Sequence, residues 1–128
     1  TMQMWILTPL PGSDVYRQIN EEHRIFNTNW KYFDCQHSVF FPSLMKPSTL
    51  ELALAEANKK FYTFKRMFYN AIGTRITYGT NAHLMDRALR DYAKRLKNFE
   101  DKFYTKDGEL ITEKLSENNP EEFARYLY

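Results

Sequence analysis

The sequence has very little cysteine, and this scarcity limits the chemistry that the chain can carry. Cys35 is the one thiol among 128 residues, so the chain by itself can form neither an internal disulfide nor a cysteine-ligated metal or iron–sulfur site. A single thiol is typical of proteins from a reducing compartment, and we expect a cytoplasmic protein. The three histidines, His23, His37 and His83, lack the spacing of a zinc site. We predict no metal ligands in the chain.

Long apolar runs and an excess of one charge are also missing. No stretch approaches the roughly 20 apolar residues that span a bilayer, and the first residues lack the pattern of a targeting segment. The charge is nearly balanced, with 18 Lys and Arg against 16 Asp and Glu, so the overall field does not favour nucleic acid. We expect no membrane span, and the overall charge does not by itself decide for or against a nucleic acid partner.

The side chains that build a core are abundant. The chain is 43% hydrophobic and 16% aromatic, which is too rich for a disordered tail, and its length suffices to bury a core. We expect a folded unit of mainly α class, with a helical C-terminal region and one or two short β-strands.

Two long helices are predicted from apolar spacing in the second half of the chain. Ser48-Thr49-Leu50-Glu51 has the form of a capping box, so the first helix is predicted to start at Ser48 and to end near Gly73. Its apolar face consists of Leu50, Leu54, Ala57, Phe61, Phe64 and Phe68. The second helix is predicted to start at about residue 80, and its apolar face consists of Ala82, Met85, Leu89, Tyr92, Leu96, Phe99 and Phe103. We expect the two helices to pack antiparallel.

Shorter elements are predicted from cap and turn residues. Ser13 or Asp14 can cap a short helix that opens at about residue 14. Asp107-Gly108 is a turn signal. Asn119 followed by Pro120 predicts the cap and the first position of a final short helix.

The first apolar run differs from the helical segments. Residues 2–8 are interpreted as a buried strand that is stopped by Pro9, Pro11 and Gly12. The one other strand candidate, Ser38-Val39-Phe40-Phe41, is weak, and a single strand cannot pair its own backbone groups. We therefore predict that this strand belongs to a sheet whose other strands lie elsewhere.

Residues 24–47 mix aromatic side chains with Asn, Asp and Pro and keep no helical or strand period. We interpret them as an ordered crossing segment, long enough to indicate either a function or docking on a larger body. Asp34, Cys35 and His37 bring together an acid, a thiol and an imidazole. A small buried thiol near a hydrogen-bonded histidine is favoured over a nucleophile, because adjacency in a loop does not ensure catalytic geometry.

Basic and tyrosine side chains alternate along the long helices, which leaves RNA binding as a lesser alternative. Phosphates attract Lys and Arg, and bases stack on aromatic rings. Acidic side chains are mixed among them, however, so an ordinary solvated surface is favoured. The set comprises Lys59, Lys60, Tyr62, Lys65, Arg66, Tyr69, Arg75, Tyr78, Arg87, Arg90, Lys94, Arg95 and Lys97.

An ordered series of short motifs runs through residues 6–45. It consists of Ile6-Leu7-Thr8-Pro9-Leu10-Pro11-Gly12-Ser13, Tyr16, Glu21-Glu22-His23-Arg24-Ile25, Trp30, Tyr32-Phe33-Asp34, His37-Ser38-Val39-Phe40-Phe41-Pro42 and Met45. In order and spacing this series resembles the C-terminal part of cobalamin-binding radical S-adenosylmethionine enzymes. Three positions depart from that pattern: Ser13 replaces Thr, His23 replaces Gly, and Phe33 separates Tyr32 from Asp34.

The resemblance implies a division of the chain into three parts. Residues 1–12 would be the last strand of a partial (β/α) TIM-like barrel with its Pro-Gly turn, residues 13–47 a short helix and the crossing segment, and residues 48–128 a helical accessory bundle. Thr8, Pro9, Leu10, Pro11 and Gly12 would then face cofactor or substrate. Trp30, Tyr32, Asp34 and His37 would cover the mouth of the barrel.

The resemblance also implies cofactors that this chain cannot hold by itself. Such enzymes ligate a [4Fe–4S] cluster with a Cys-x3-Cys-x2-Cys loop and use S-adenosylmethionine and, in this group, cobalamin, whereas the present chain has Cys35 alone. We therefore expect a non-catalytic C-terminal fragment, whose partners are the missing N-terminal barrel and a small-molecule substrate of the parent enzyme. The alternative is a free-standing helical interaction module, in which the first strand pairs with a partner or with a second copy.

Overall fold

The computed structural model describes residues 4–61 and 75–127, with side chains from residue 84 onward in the second range. These residues are mainly helical, as predicted. The α-helices are α1 (Asp14–Glu21), α2 (Pro47–Phe61), α3 (Arg75–Glu100) and α4 (Pro120–Leu127), and 3₁₀ helices cover Trp30–Tyr32 and Thr112–Glu117.

Helices α2 and α3 pack antiparallel, which confirms the prediction. Ser48, near the start of α2, contacts Glu100 at the end of α3, whereas Leu54, further along α2, packs with Leu89 in the interior of α3. Helix α3 begins at Arg75 rather than at about residue 80. Five of the core positions predicted for this helix are buried, namely Leu89, Tyr92, Leu96, Phe99 and, beyond the observed end at Glu100, Phe103. The predicted positions Phe64, Phe68 and Gly73 and the side chain of Ala82 lie outside the described residues.

The predicted capping box at the start of α2 is wrong. The helix begins at Pro47, where the missing amide hydrogen of proline costs nothing. Ser48 instead donates its amide and its hydroxyl to the Glu100 carboxylate, and Glu51 accepts the Ser38 amide. Both residues of the predicted box are buried, so hydrogen bonds to other elements replace the local ones. These contacts tie α2 to α3 and to the crossing segment.

The shorter elements follow the sequence signals. The Ser13 hydroxyl accepts an amide of the first turn of α1. Gly108 adopts φ of 87° in a turn that is closed by an antiparallel bridge between Tyr104 and Leu110. The Asn119 side chain accepts an amide of the first turn of α4. These three predictions are confirmed.

The largest hydrophobic core joins the crossing segment to the C-terminal helices. The Phe26 ring lies 4.8 Å from the ring of Phe41 and 4.8 Å from that of Phe123 in α4. Its buried members are Phe26, Phe41, Tyr92, Leu96, Phe99, Phe103, Tyr104, Leu115, Phe123 and Leu127. Large aromatic side chains contribute most of the buried apolar area. The crossing segment is therefore ordered and anchored by aromatic residues, as predicted.

Burial alternates at Trp5, Ile6 and Leu7 as it does along an extended chain. We therefore call residues 4–10 the extended segment, although they belong to no β-strand and the described part of the chain contains none. Isolated antiparallel bridges join Ile25 to Phe40 and Tyr104 to Leu110. The weak strand predicted at Ser38-Val39-Phe40-Phe41 therefore reduces to a single bridge. The Ile6 amide donates to the Cys35 carbonyl at 2.8 Å, which holds the extended segment against the crossing segment. The start of the predicted strand, residues 2–3, lies outside the described residues.

Candidate functional site

Residues Thr8–Gly12 form the turn that leads from the extended segment into α1. Gly12 has φ of 89°, a conformation that favours glycine, and the Ser13 amide donates to the Leu10 carbonyl at 3.1 Å. Pro9 is buried, whereas Leu10, Pro11 and Gly12 are exposed. The Thr8 hydroxyl donates to the carbonyl of Ile6 at 3.4 Å. Within the described residues, no side-chain hydrogen bond joins Thr8 to the residues predicted to cover the barrel mouth.

The extended segment presents two different faces. Ile6 is buried against Leu54, Ala55 and Leu89 of α2 and α3. Its neighbours Trp5 and Leu7 are 66% and 60% exposed. Successive side chains of an extended chain point to opposite faces. One face therefore packs on the helices, and the other presents large apolar side chains to solvent.

Three of the four residues predicted to cover the mouth lie together. The Asp34 carboxylate contacts the His37 ring, with 2.9 Å between Oδ2 and Nδ1, and the ring of Tyr32 lies 5.2 Å from that of His37. Trp30 is separate from this group: it is 65% exposed and its ring packs against Phe33 at 5.0 Å.

A tight turn fixes the Asp34 carboxylate. Its Oδ1 accepts the amides of Gln36 at 2.9 Å and of His37 at 3.1 Å. Burial alone would raise the pKa of this carboxyl, but hydrogen bonds from the His37 ring and from the two amides outweigh it and lower the pKa below its usual value. Asp34 is therefore an ionised acceptor near neutral pH.

The His37 ring is enclosed on its sides and open at one atom. It stands nearly perpendicular to the rings of Tyr32, at 87°, and Tyr92, at 81°, and 13% of its side chain is exposed. Its Nε2 has no hydrogen-bond partner in the described residues and is not among their buried polar atoms without a partner. Nε2 therefore reaches solvent while Nδ1 is held by Asp34.

A buried polar network lies behind this pair, and sequence reasoning missed it. The Tyr92 hydroxyl donates to the Ser38 carbonyl at 3.0 Å and accepts from Asn27 Nδ2 at 2.9 Å. The Ser38 amide donates to Glu51, whose second oxygen, Oε2, has no partner in the described part of the chain. Burial raises the pKa of Glu51 to about 8 and that of Tyr92 well above its usual value.

One sequence signal could have pointed to this network. A buried polar group needs a partner, so a tyrosine on a predicted core face implies one for its hydroxyl, but spacing alone cannot name Asn27. Glu51 carries no such signal, because the capping-box pattern accounts for it by contacts within its own helix.

The Cys35 thiol stands apart from the pair although its backbone supports the turn. Cys35 has φ of 62°, is half-buried and accepts the Ile6 amide through its carbonyl. Its sulfur makes no hydrogen bond within the described residues. The thiol is half-buried rather than buried as predicted, whereas His37 is hydrogen-bonded, to Asp34.

Three of the five described basic side chains of α3 are paired within their own helix or bonded to backbone. Arg90 pairs with Asp86 at 3.0 Å, and Lys94 pairs with Asp91 at 3.5 Å. Arg95 donates to the Leu127 carbonyl at 2.8 Å. These contacts favour a solvated surface over RNA binding. Of the set predicted from the sequence, Tyr62, Lys65, Arg66, Tyr69 and the side chains of Arg75 and Tyr78 lie outside the described residues.

Comparisons with protein-family models, with curated proteins and with solved structures give no match. Within residues 4–61 and 75–127, no three side chains of His, Cys, Asp or Glu are grouped so that they could hold a metal ion. None of the described helices combines the length and the apolar character that crossing a bilayer requires.

Proposed function

We propose that this chain is the C-terminal portion of a radical S-adenosylmethionine enzyme, non-catalytic with respect to the radical chemistry, where it completes the barrel and covers its mouth. The family is proposed from the resemblance over residues 6–45. The observation that carries the proposal is the extended segment 4–10, which has one open edge and one open apolar face.

The open edge is suited to one neighbouring strand. Along an extended chain, the backbone groups of successive residues point to opposite edges. Ile6 uses one edge for its bond to Cys35, and the backbones of Trp5 and Leu7 receive no hydrogen bond from the described residues. A segment with one occupied and one open edge fits the last strand of a partial barrel, which needs one neighbour.

The open face supports the same arrangement. A barrel strand has one face against the outer helices and the other toward the interior. Ile6 already packs on α2 and α3, so Trp5 and Leu7 would supply the interior face. The exposed Leu10 would follow at the C-terminal end of the strand, the end at which barrel active sites lie.

In this proposal, the cofactors that the resemblance implies are bound outside this chain. A three-cysteine cluster loop cannot be built from Cys35 alone, so the preceding barrel would hold the [4Fe–4S] cluster. With S-adenosylmethionine such a cluster supplies a radical that reacts with a small-molecule substrate, and cobalamin belongs to the same part. This chain would contribute shape and exclusion of water.

Co-expression of the upstream coding sequence with this chain, as two separate polypeptides, tests the proposal. We expect an upstream Cys-x3-Cys-x2-Cys loop and co-purification of the two parts. Replacing Trp5 and Leu7 by Ser should weaken co-purification, because their apolar face would no longer be buried. Leu44→Ser is the matched control, since Leu44 is likewise an exposed apolar side chain, at 91%, and lies in the loop before α2. A start codon at the beginning of this chain would contradict the proposal. Equal co-purification of the two polypeptides with and without the Trp5 and Leu7 substitutions would also contradict it.

The open edge also favours the second candidate, a helical interaction module that forms a strand-paired homodimer. In that case the chain alone sediments as a dimer, and the Trp5 and Leu7 substitutions make it monomeric. Sedimentation of the isolated chain and of the double variant distinguishes the two functions.

A further inference from the structure

The Asp34–His37 pair is more firmly oriented than the anchoring of a loop requires. Asp34 is held by two amides of its own turn and contacts His37 Nδ1 at 2.9 Å. An ionised carboxylate only accepts hydrogen bonds, so Nδ1 must carry a hydrogen. In the neutral ring the lone pair then lies on Nε2, which reaches solvent and has no partner in the described residues.

The surroundings restrict the ring to this orientation. Tyr32 and Tyr92 stack with ring centroids 5.0 Å apart, and the His37 ring stands nearly perpendicular to both. Tyr92 is itself fixed by hydrogen bonds to Ser38 and Asn27. An imidazole that is oriented by a carboxylate and presents Nε2 is the arrangement of a general base.

We propose that His37 is a proton-transfer residue for a small-molecule substrate that carries a hydroxyl or amine group, with Asp34 as its positioning residue. As the hydroxyl or amine adds to a carbonyl carbon of the substrate, its proton passes to Nε2, the electron pair of the C=O π bond moves to the carbonyl oxygen, and the Asp34 carboxylate balances the charge of the imidazolium. Nε2 then returns the proton to that oxygen, which regenerates the neutral histidine. No oxidant or reductant is required.

The identity of the substrate rests on the proposed function, whereas the reactivity of the pair does not. The Cys35 carbonyl in the same turn accepts the Ile6 amide, so the turn that carries His37 is bonded directly to the segment proposed as the last barrel strand. In the parent enzyme, the pair would therefore lie beside that strand.

Hydrolysis of p-nitrophenyl acetate by the 128-residue chain tests the reactivity without barrel or cofactor. His37→Gln should lower the hydrolysis rate by about tenfold, the lower end of what a positioned base contributes. Asp34→Asn should lower the rate, because the ring is no longer held with its hydrogen on Nδ1. His23→Gln is the control, since His23 is exposed and has no acidic partner in the described structure.

Nitrogen-15 NMR of the imidazole rings provides the second measurement. We expect His37 to carry its hydrogen on Nδ1 and to lose that preference in Asp34→Asn, and thermal unfolding shows whether each variant is folded. A hydrogen on Nε2, or an unchanged rate in folded His37→Gln, would overturn the proposal. A missing upstream cysteine loop would instead refute the parent enzyme and leave these results standing.

Discussion

The Tyr92 hydroxyl oxygen lies 2.9 Å from Asn27 Nδ2 and 3.0 Å from the Ser38 carbonyl oxygen. One phenol thereby connects α3 to two separate points of the crossing segment. The side chains of Tyr92 and Asn27 are both buried, so water cannot replace either bond when one is lost.

Replacing Tyr92 by Phe tests the energetic weight of this connection. The change keeps the ring and leaves the Asn27 amide and the Ser38 carbonyl unpaired, so we expect a loss of about 2 kcal/mol in the free energy of unfolding. Urea unfolding measures it. Tyr126→Phe is the control, because Tyr126 is exposed. Equal effects of the two substitutions would show that the buried bonds add nothing.

Glu51 should make the stability of the chain depend on pH. Burial raises its pKa to about 8 in the folded chain, from an ordinary value of 4.5. Between these values the unfolded chain has released the proton and the folded chain still holds it. Stability is therefore fully present below 4.5 and falls as pH rises to 8, with a slope of about 1.4 kcal/mol per pH unit from this group.

Glu51→Gln removes this titration and keeps an oxygen that can accept the Ser38 amide. We expect the variant to lose the decline in stability between pH 4.5 and 8 that Glu51 causes. Urea unfolding at several pH values measures the difference between the two proteins. Glu56→Gln, an exposed change on the same helix, should follow the original curve. A variant whose stability still parallels the original protein across this range would show that Glu51 titrates normally.

Ser48 should matter for the docking of α2 on α3 rather than for helix capping. Its amide and hydroxyl both donate to the buried Glu100 carboxylate, and Ser48→Ala removes one of the two bonds. We expect a loss of about 1–3 kcal/mol, because the buried carboxyl group of Glu100 is left short of a donor. Thr49→Ala, at the exposed neighbour, is the control. If the two changes cost the same in thermal or urea unfolding, the contact is not a tie between the helices.

The helices could be predicted from the sequence because their signals are local. The spacing of Leu89, Tyr92 and Leu96 places all three on one face of α3, and that face is buried. The positions of Pro120 and Gly108 could be predicted because proline fixes its own φ and glycine readily adopts a positive φ in a turn.

The partners of buried polar side chains could not be predicted in the same way. The sequence pattern assigns Glu51 to a local capping box, whereas in the structure Glu51 accepts the amide of the distant Ser38. A single sequence does not show which of these two contacts forms. The pairing of Asp34 with His37 could be predicted because both residues lie in one turn. The contact of His37 with Tyr92 could not be predicted, since it joins distant parts of the chain.

Gly108 provides a test of backbone conformation that is separate from packing. Its φ of 87° closes the turn between Tyr104 and Leu110, and a Cβ added there would meet no atom within 4 Å. Gly108→Ala should therefore lower the free energy of unfolding by about 1–2 kcal/mol through the left-handed conformation alone. Gly108→Asn should cost less although Asn is larger, because its side chain tolerates this conformation. If Asn costs more than Ala in urea unfolding, space rather than φ requires the glycine.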